Sequence, residues 1–85
     1  ISHNTALIIT SNTDFIFRDF LNIEKVRFFQ TGNVGIGVNA TDSGYKLDVN
    51  GTSRVQKINI SAIPTSSSGL VTGDVWNDAG TLKIV

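Results

Sequence analysis

The residues of this 85-residue chain that could do chemistry are few: one histidine, His3, no cysteine, and seven carboxylates at Asp14, Asp19, Glu24, Asp42, Asp48, Asp74 and Asp78. A zinc-type site gathers several His and Cys ligands, so His3 would hold a metal only with Asp or Asn donors from elsewhere or from other copies of the chain. A solvated polar residue is the simpler reading. Asp74 and Asp78 bracket Trp76 and Asn77 and could offer oxygens to calcium, but such an ion takes about six or more, and a strand running into a polar turn has the same composition. Glycoside hydrolysis needs two carboxylates facing each other across a cleft. Here the acids are spread along the chain. Ser66 to Ser68 read as linker rather than nucleophile, and Gly32, Gly35 and Gly37 lack the spacing and the Lys-Ser/Thr pair of a phosphate loop. No cofactor, no metal and no enzymatic activity are expected of these residues. Tyr45 and Trp76, with Phe28 or Phe29, are candidates for a shallow glycan-binding surface. For Trp76 the preferred reading is burial between chains.

What must position these residues is read from composition and pattern. Seven basic residues balance the seven acidic ones, and neither sign is clustered, which removes the electrostatic footprint of a nucleic-acid partner or a membrane-bound basic patch. The apolar runs are far shorter than the roughly 20 residues of a membrane span, so no membrane insertion is expected. Asn, Ser and Thr are abundant beside Val and Ile, a composition of strands and hydrogen-bonding turns. The chain opens on Ile1 and contains no methionine, from which we expect a fragment, a processed product or the ordered part of something longer.

Residues 31–51, TGNVGIGVNATDSGYKLDVNG, organise the rest. Val34, Ile36 and Val38 alternate with glycines, as in an extended strand whose bare positions admit a neighbouring backbone. Upstream, Thr5 to Thr10 reads as a strand, Phe15 to Phe20 as another, and Lys25 to Gln30 as a third. Phe15 and Phe17 share one face, and Ile16, Arg18 and Phe20 share the other. Residues 14–29 also fit a helix capped by Asp14, with Phe17, Phe20, Leu21 and Glu24 on one side. Strand is preferred because phenylalanine and β-branched residues gain more from a pleated surface. All five phenylalanines fall in the first 29 residues, which makes this the expected compact core.

Downstream, residues 39–44 form a polar loop and Tyr45 to Val49 a strand. Asn50-Gly51 is the strongest hairpin signal. A two-residue turn there would set Leu47 opposite Arg54 and Lys46 opposite Val55, which keeps no clean apolar face. Either a bulge shifts the register, or Asn50-Gly51 is a bend between strands that pair elsewhere, the reading preferred here. Val55 to Ile60 reads as a further strand and residues 63–69 as a linker. Residues 70–85 read as a hairpin turning at Asn77 to Gly80, with apolar side chains on both faces and Leu82 and Ile84 on the same one. The expected organisation is thus 1–30 an aromatic-rich β region, 31–62 a shaft or collar, 63–69 a linker and 70–85 a C-terminal hairpin.

Two strings carry a family resemblance. Gly32-Asn33-Val34-Gly35-Ile36-Gly37, followed after a polar loop by Lys46-Leu47-Asp48-Val49-Asn50-Gly51-Thr52, resembles the GNVGIG…KLDVNG motif of the stem and collar parts of bacteriophage tail fibres and tailspikes, and of related bacterial surface fibres. Ile63-Pro64-Thr65-Ser66 and Gly73-Asp74-Val75-Trp76-Asn77-Asp78-Ala79-Gly80-Thr81-Leu82 resemble a second segment of phage structural proteins. Together they cover rather more than half of the chain, and the first 30 residues match only loosely. Val38-Asn39-Ala40 departs from the pattern, standing where Thr and a Pro-containing turn are common. Asn39, Asn50 and Asn59 begin N-x-Ser/Thr triplets, cheap chance matches that would stay unmodified in a phage protein made in a bacterium.

The resemblance implies an all-β, elongated homotrimer of interwoven strands. It would serve as a virion fibre segment, extracellular, joining virion attachment to receptor-binding parts, with other virion or fibre proteins and a host glycan or receptor met through neighbouring domains. Within it, Val34, Gly35, Ile36, Gly37, Leu47, Val49, Trp76, Leu82 and Ile84 are expected to pack between chains, with Gly35 where a Cβ would collide, and Tyr45 and Trp76 are the candidate glycan contacts. A receptor- or glycan-binding tip and the stalk of a bacterial adhesin are the other functional readings. A small monomeric β-sandwich is the other fold.

Overall fold

The computed structural model describes residues 6–85 and is all-β, with six short strands in two sheets and no helix among the described residues. The chain divides into two compact units, Ile1–Arg54 and Val55–Val85. In the first, β1 (Phe15–Arg18), β2 (Glu24–Phe28), β3 (Val34–Ile36) and β4 (Leu47–Val49) form one sheet in chain order. β1, β2 and β3 are antiparallel, while β3 and β4 run parallel. In the second, β5 (Val75–Asp78) and β6 (Thr81–Ile84) make an antiparallel hairpin.

Local chemistry explains the turns. Between β1 and β2 the Asp19 carboxylate accepts the N–H groups of Leu21 (2.9 Å) and Ile23 (3.0 Å), and Asn22 takes a positive φ of 64°, a conformation asparagine tolerates. Between β2 and β3, Gly32 at φ 93° closes a turn in which its N–H donates to the Phe29 carbonyl at 2.8 Å. β5 and β6 are joined by Ala79 and Gly80, both at positive φ, as the right-handed strand twist prefers in a two-residue hairpin loop.

Register puts two complete apolar rows across one face of the first sheet. Phe15, Phe28, Val34 and Leu47 lie side by side, as do Phe17, Val26, Ile36 and Val49. The row between them faces the other way and reads Ile16, Arg27, Gly35 and Asp48. Among the described residues only Phe29 and Gly35 are buried, and they lie together on this second face. A Cβ built on Gly35 would overlap the Val38 side chain and come within 3.2 Å of Phe29 Cε2.

Several expectations change. The glycine at 35 meets close neighbours within its own chain, and they are side chains, those of Val38 and Phe29. Val38 does not continue the Val34 and Ile36 face, because Gly37 at φ 73° turns the chain and folds Val38 back over Gly35. The runs 6–10 and 55–60 form no strand. Thr5 lies outside the described residues. β4 is confined to residues 47–49, leaving Tyr45 before the strand. Asn50-Gly51 makes no hairpin, since β4 pairs with β3 instead. Residues 63–69 fall inside the second unit, where the Pro64 carbonyl accepts the Asn77 N–H at 2.8 Å.

Substituting Gly35→Ala is expected to cost about 1–3 kcal/mol in urea unfolding, the penalty of overpacking. The double variant Gly35→Ala/Val38→Ala should recover part of that loss, because the clash is with Val38.

Candidate functional site

The apolar face of the first sheet is the most distinctive surface of the molecule. Each strand supplies two side chains two residues apart, as the alternation of a strand requires. Phe15, Phe17 and Phe28 form a cluster with ring centroids 5.0–6.3 Å apart, in tilted and edge-to-face arrangements. Among the described residues this face is only partly covered. Phe17 is 50% exposed, Phe28 44%, Ile36 42% and Leu47 60%. At the β1 end, Leu7 and Ile9 join the three phenylalanines and Gln30 in lining an open groove of about 510 Å³.

The opposite face is held by charge. Arg27 lies between Asp14 (2.7 Å) and Glu24 (2.5 Å), and its guanidinium carbon sits 5.8 Å from the centre of the Phe29 ring. Asp14 also accepts the Gln30 N–H at 2.9 Å, so one carboxylate ties the start of β1 to the end of β2. The hydrogen bond from Arg27, followed by that from Gln30, holds the Asp14 carboxyl below the ordinary carboxylate range. Both acid partners push the Arg27 value up, Glu24 more than Asp14. Such a carboxyl suits an ion pair; a general acid needs its proton held more tightly than usual.

A second polar centre shapes the loop between β3 and β4. Asp42 accepts the Asn33 amide (3.0 Å), the Thr31 hydroxyl (2.7 Å) and the Gly44 N–H (3.0 Å), and these bonds, Asn33 first, lower its pKa. The Ser43 hydroxyl donates to Asp48 at 2.7 Å. At the end of β4, Asn50 donates its backbone N–H to Ile36 O at 2.9 Å and its side-chain amide to Gly37 O at 3.1 Å. The GNVGIG and KLDVNG strings are therefore adjacent parallel strands locked at both ends by their own turn residues.

In the hairpin unit, Trp76, Asp78, Thr81 and Lys83 share one face. Lys83 pairs with Asp78 at 2.5 Å and stands 5.7 Å from the Trp76 ring centre. Leu82 and Ile84 are exposed on the other face with Val75 and Asn77. Asp74 accepts the Val71 N–H at 3.0 Å. All seven carboxylates are thus engaged by groups of the chain: the six already named, and Asp19, which besides its turn bonds pairs with Lys25 at 3.3 Å. Among the described residues no three His, Cys, Asp or Glu side chains come together as a metal cluster would, and His3 lies outside those residues.

Of the residues expected at an interchain contact, Val34, Ile36, Leu47 and Val49 share the apolar sheet face. Gly35 lies on the reverse side, against Val38 and Phe29, and Gly37 lies in the following turn. Trp76 is half-buried beneath Lys83, on the hairpin face away from Leu82 and Ile84. Tyr45 is 64% exposed, and it and Trp76 belong to different units. Sequence reasoning missed Arg27 and the contribution of Phe15, Phe17, Val26 and Phe28 to the same face. Their signal was present as apolar pairs two residues apart. No family model matches the chain, and comparison with curated proteins and with solved structures finds no match.

The pH dependence follows from the lowered carboxyls of Asp14, Asp19 and Asp42, the second held down chiefly by the Ile23 N–H. Their folded-state values lie below those of the unfolded chain, so on acidification the unfolded state takes up protons first. The stability they confer is present above about pH 5 and is lost as pH falls below roughly 4. Thermal melting followed by circular dichroism should show a flat midpoint from pH 5 to 7 and a steep decline below, shallower in Asp42→Ala, whose midpoint at pH 7 is already reduced.

Proposed function

We propose that the chain is a structural segment of a homotrimeric fibre of the bacteriophage tail-fibre or tailspike type, linking a virion-attachment part to a receptor-binding part. The observation that carries this reading is the eight-residue apolar face, of which Phe17, Phe28, Ile36 and Leu47 are left exposed. Burying one Phe, Leu or Ile side chain is worth roughly 1.5–3 kcal/mol, so covering four half-exposed ones is worth several kcal/mol per chain. Three copies set around a common axis would turn these faces into one shared core, and a stalk built this way needs no reaction centre. The resemblance of residues 32–37 and 46–52 to fibre collar motifs points the same way.

A second reading, a glycan-binding tip, draws on the exposed ring of Tyr45. It is compatible with the same assembly and places the ligand beside the β3–β4 loop.

Light scattering over a range of concentrations is expected to give a constant mass near three times the 9.1-kDa chain. Phe28→Asp and Leu47→Asp should each shift the mass toward the single chain, because a charge on this face cannot be buried unpaired. A constant single-chain mass in a folded sample would overturn the assembly. Tyr45→Ala should leave the trimer intact, and its loss of adhesion to host-cell glycans would identify the tip reading.

A further inference from the structure

We propose that Asn50 is a site of spontaneous deamidation, driven by the backbone nitrogen of Gly51, and that the conversion unfastens the end of β4 from the turn that follows β3.

Asn50-Gly51 is a hairpin dipeptide that makes no hairpin here, so the other chemical property of the pair comes forward. The backbone nitrogen that follows an asparagine stands next to the carboxamide carbon of that residue, and the two react as neighbours rather than as separate molecules. Gly51 N gives up its proton to water or hydroxide and bonds to Asn50 Cγ. The Cγ–Nδ2 bond breaks, and Nδ2 takes up a proton and leaves as ammonia. Water then opens the succinimide ring at either carbonyl, giving aspartate or an isoaspartate whose main chain runs through the former side chain. One water is consumed and one ammonia released, with no change of oxidation state. A side chain on the following residue obstructs ring closure, and glycine has none. Of the asparagines in the sequence only Asn50 precedes a glycine; the others precede Thr, Ile, Val, Ala or Asp.

The fold leaves the attacking group free. Gly51 is exposed, a Cβ built on it would meet nothing within 4 Å, and its N–H donates no hydrogen bond among the described residues. The carboxamide is restrained by a single exposed bond, from Nδ2 to Gly37 O at 3.1 Å. Ring closure draws on the chains in which that bond is open, and one exposed hydrogen bond withholds little.

The same bond gives the reaction a structural consequence. Conversion removes the donor, sets a carboxylate oxygen against the Gly37 carbonyl, and adds a negative charge to a chain whose formal charges cancel. Two acceptors then face each other where a bond was. The isoaspartate form also lengthens the main chain by one carbon just after β4. The fastening of KLDVNG to GNVGIG at this end therefore rests on an amide of finite lifetime.

Incubation of the folded chain at mildly alkaline pH, beside a free peptide of residues 46–54, tests this by digestion and mass spectrometry. The Asn50 peptide should exchange ammonia for water and split into aspartate and isoaspartate forms, with isoaspartate in excess, while the other asparagines stay intact. The folded chain should convert within roughly 10-fold of the rate of the free peptide, the factor that one exposed hydrogen bond withholds. Asn50→Gln, which would have to close a larger ring, should not convert. Asn50→Asp should migrate with the aged chain in isoelectric focusing and share its lowered urea midpoint. An Asn50 that survives in the folded chain after the peptide has fully converted, or another asparagine converting as fast, would overturn the site. An Asn50→Asp chain that unfolds at the wild-type midpoint would overturn the unfastening.

Discussion

The missing side chain at Gly35 is the constraint on which the first unit turns. Because no Cβ stands there, Phe29 and Val38 close over the middle of β3, and Phe29 becomes the one buried hydrophobic side chain among the described residues. Burial of a phenylalanine is worth roughly 1.5–3 kcal/mol, a large share of what a unit this small can collect. Arg27 then covers Phe29, with Asp14 and Glu24 on the guanidinium. One face of the sheet is thereby completed within the chain. Phe15, Phe17, Val26, Phe28, Val34, Ile36, Leu47 and Val49 lie on the other face.

The acidic residues take part in the same division. Seven carboxylates in a chain of this length might suggest a reactive centre, but each is spent on shape. Asp19 and Asp42 hold turns, Asp14 and Glu24 hold Arg27, and Asp48, Asp74 and Asp78 fasten a loop, a turn and a hairpin. Short strands of three to five residues bring few ladder bonds, so side-chain bonds in the loops carry an unusual part of the order. These bonds lie near the surface, which ties the loops to solvent pH in a way a larger apolar core would not.

The half-exposed sheet face is a deficit of the single chain, since apolar area laid against it would be favourable. If copies of the chain supply that area, as proposed above, the assembly owes part of its stability to association rather than to the fold of any one chain, as obligate oligomers do.

Much of this architecture was legible. The strands around Phe15, Lys25, Val34 and Leu47 and the final hairpin follow from alternation and turn residues, and the Asn-rich loops from side chains able to bond nearby backbone. The unsuitability of Asn50-Gly51 for a hairpin could be argued from the apolar faces it would have mixed. What the residues alone left open was partnership. Pairs such as Phe15 and Phe17, or Leu47 and Val49, announce a face but not which neighbour stands beside them, because register depends on contacts remote in sequence. For the same reason Val55 to Ile60 reads as a strand although it forms none in the structure, and the side chains that close on Gly35, those of Phe29 and Val38, could not be named from the residues. Local chemistry determined the elements and their turns; only the tertiary structure decided the parallel pairing of β3 with β4, the two apolar rows, and the placing of Arg27 on the reverse side, since each requires distant backbone to share one set of hydrogen bonds.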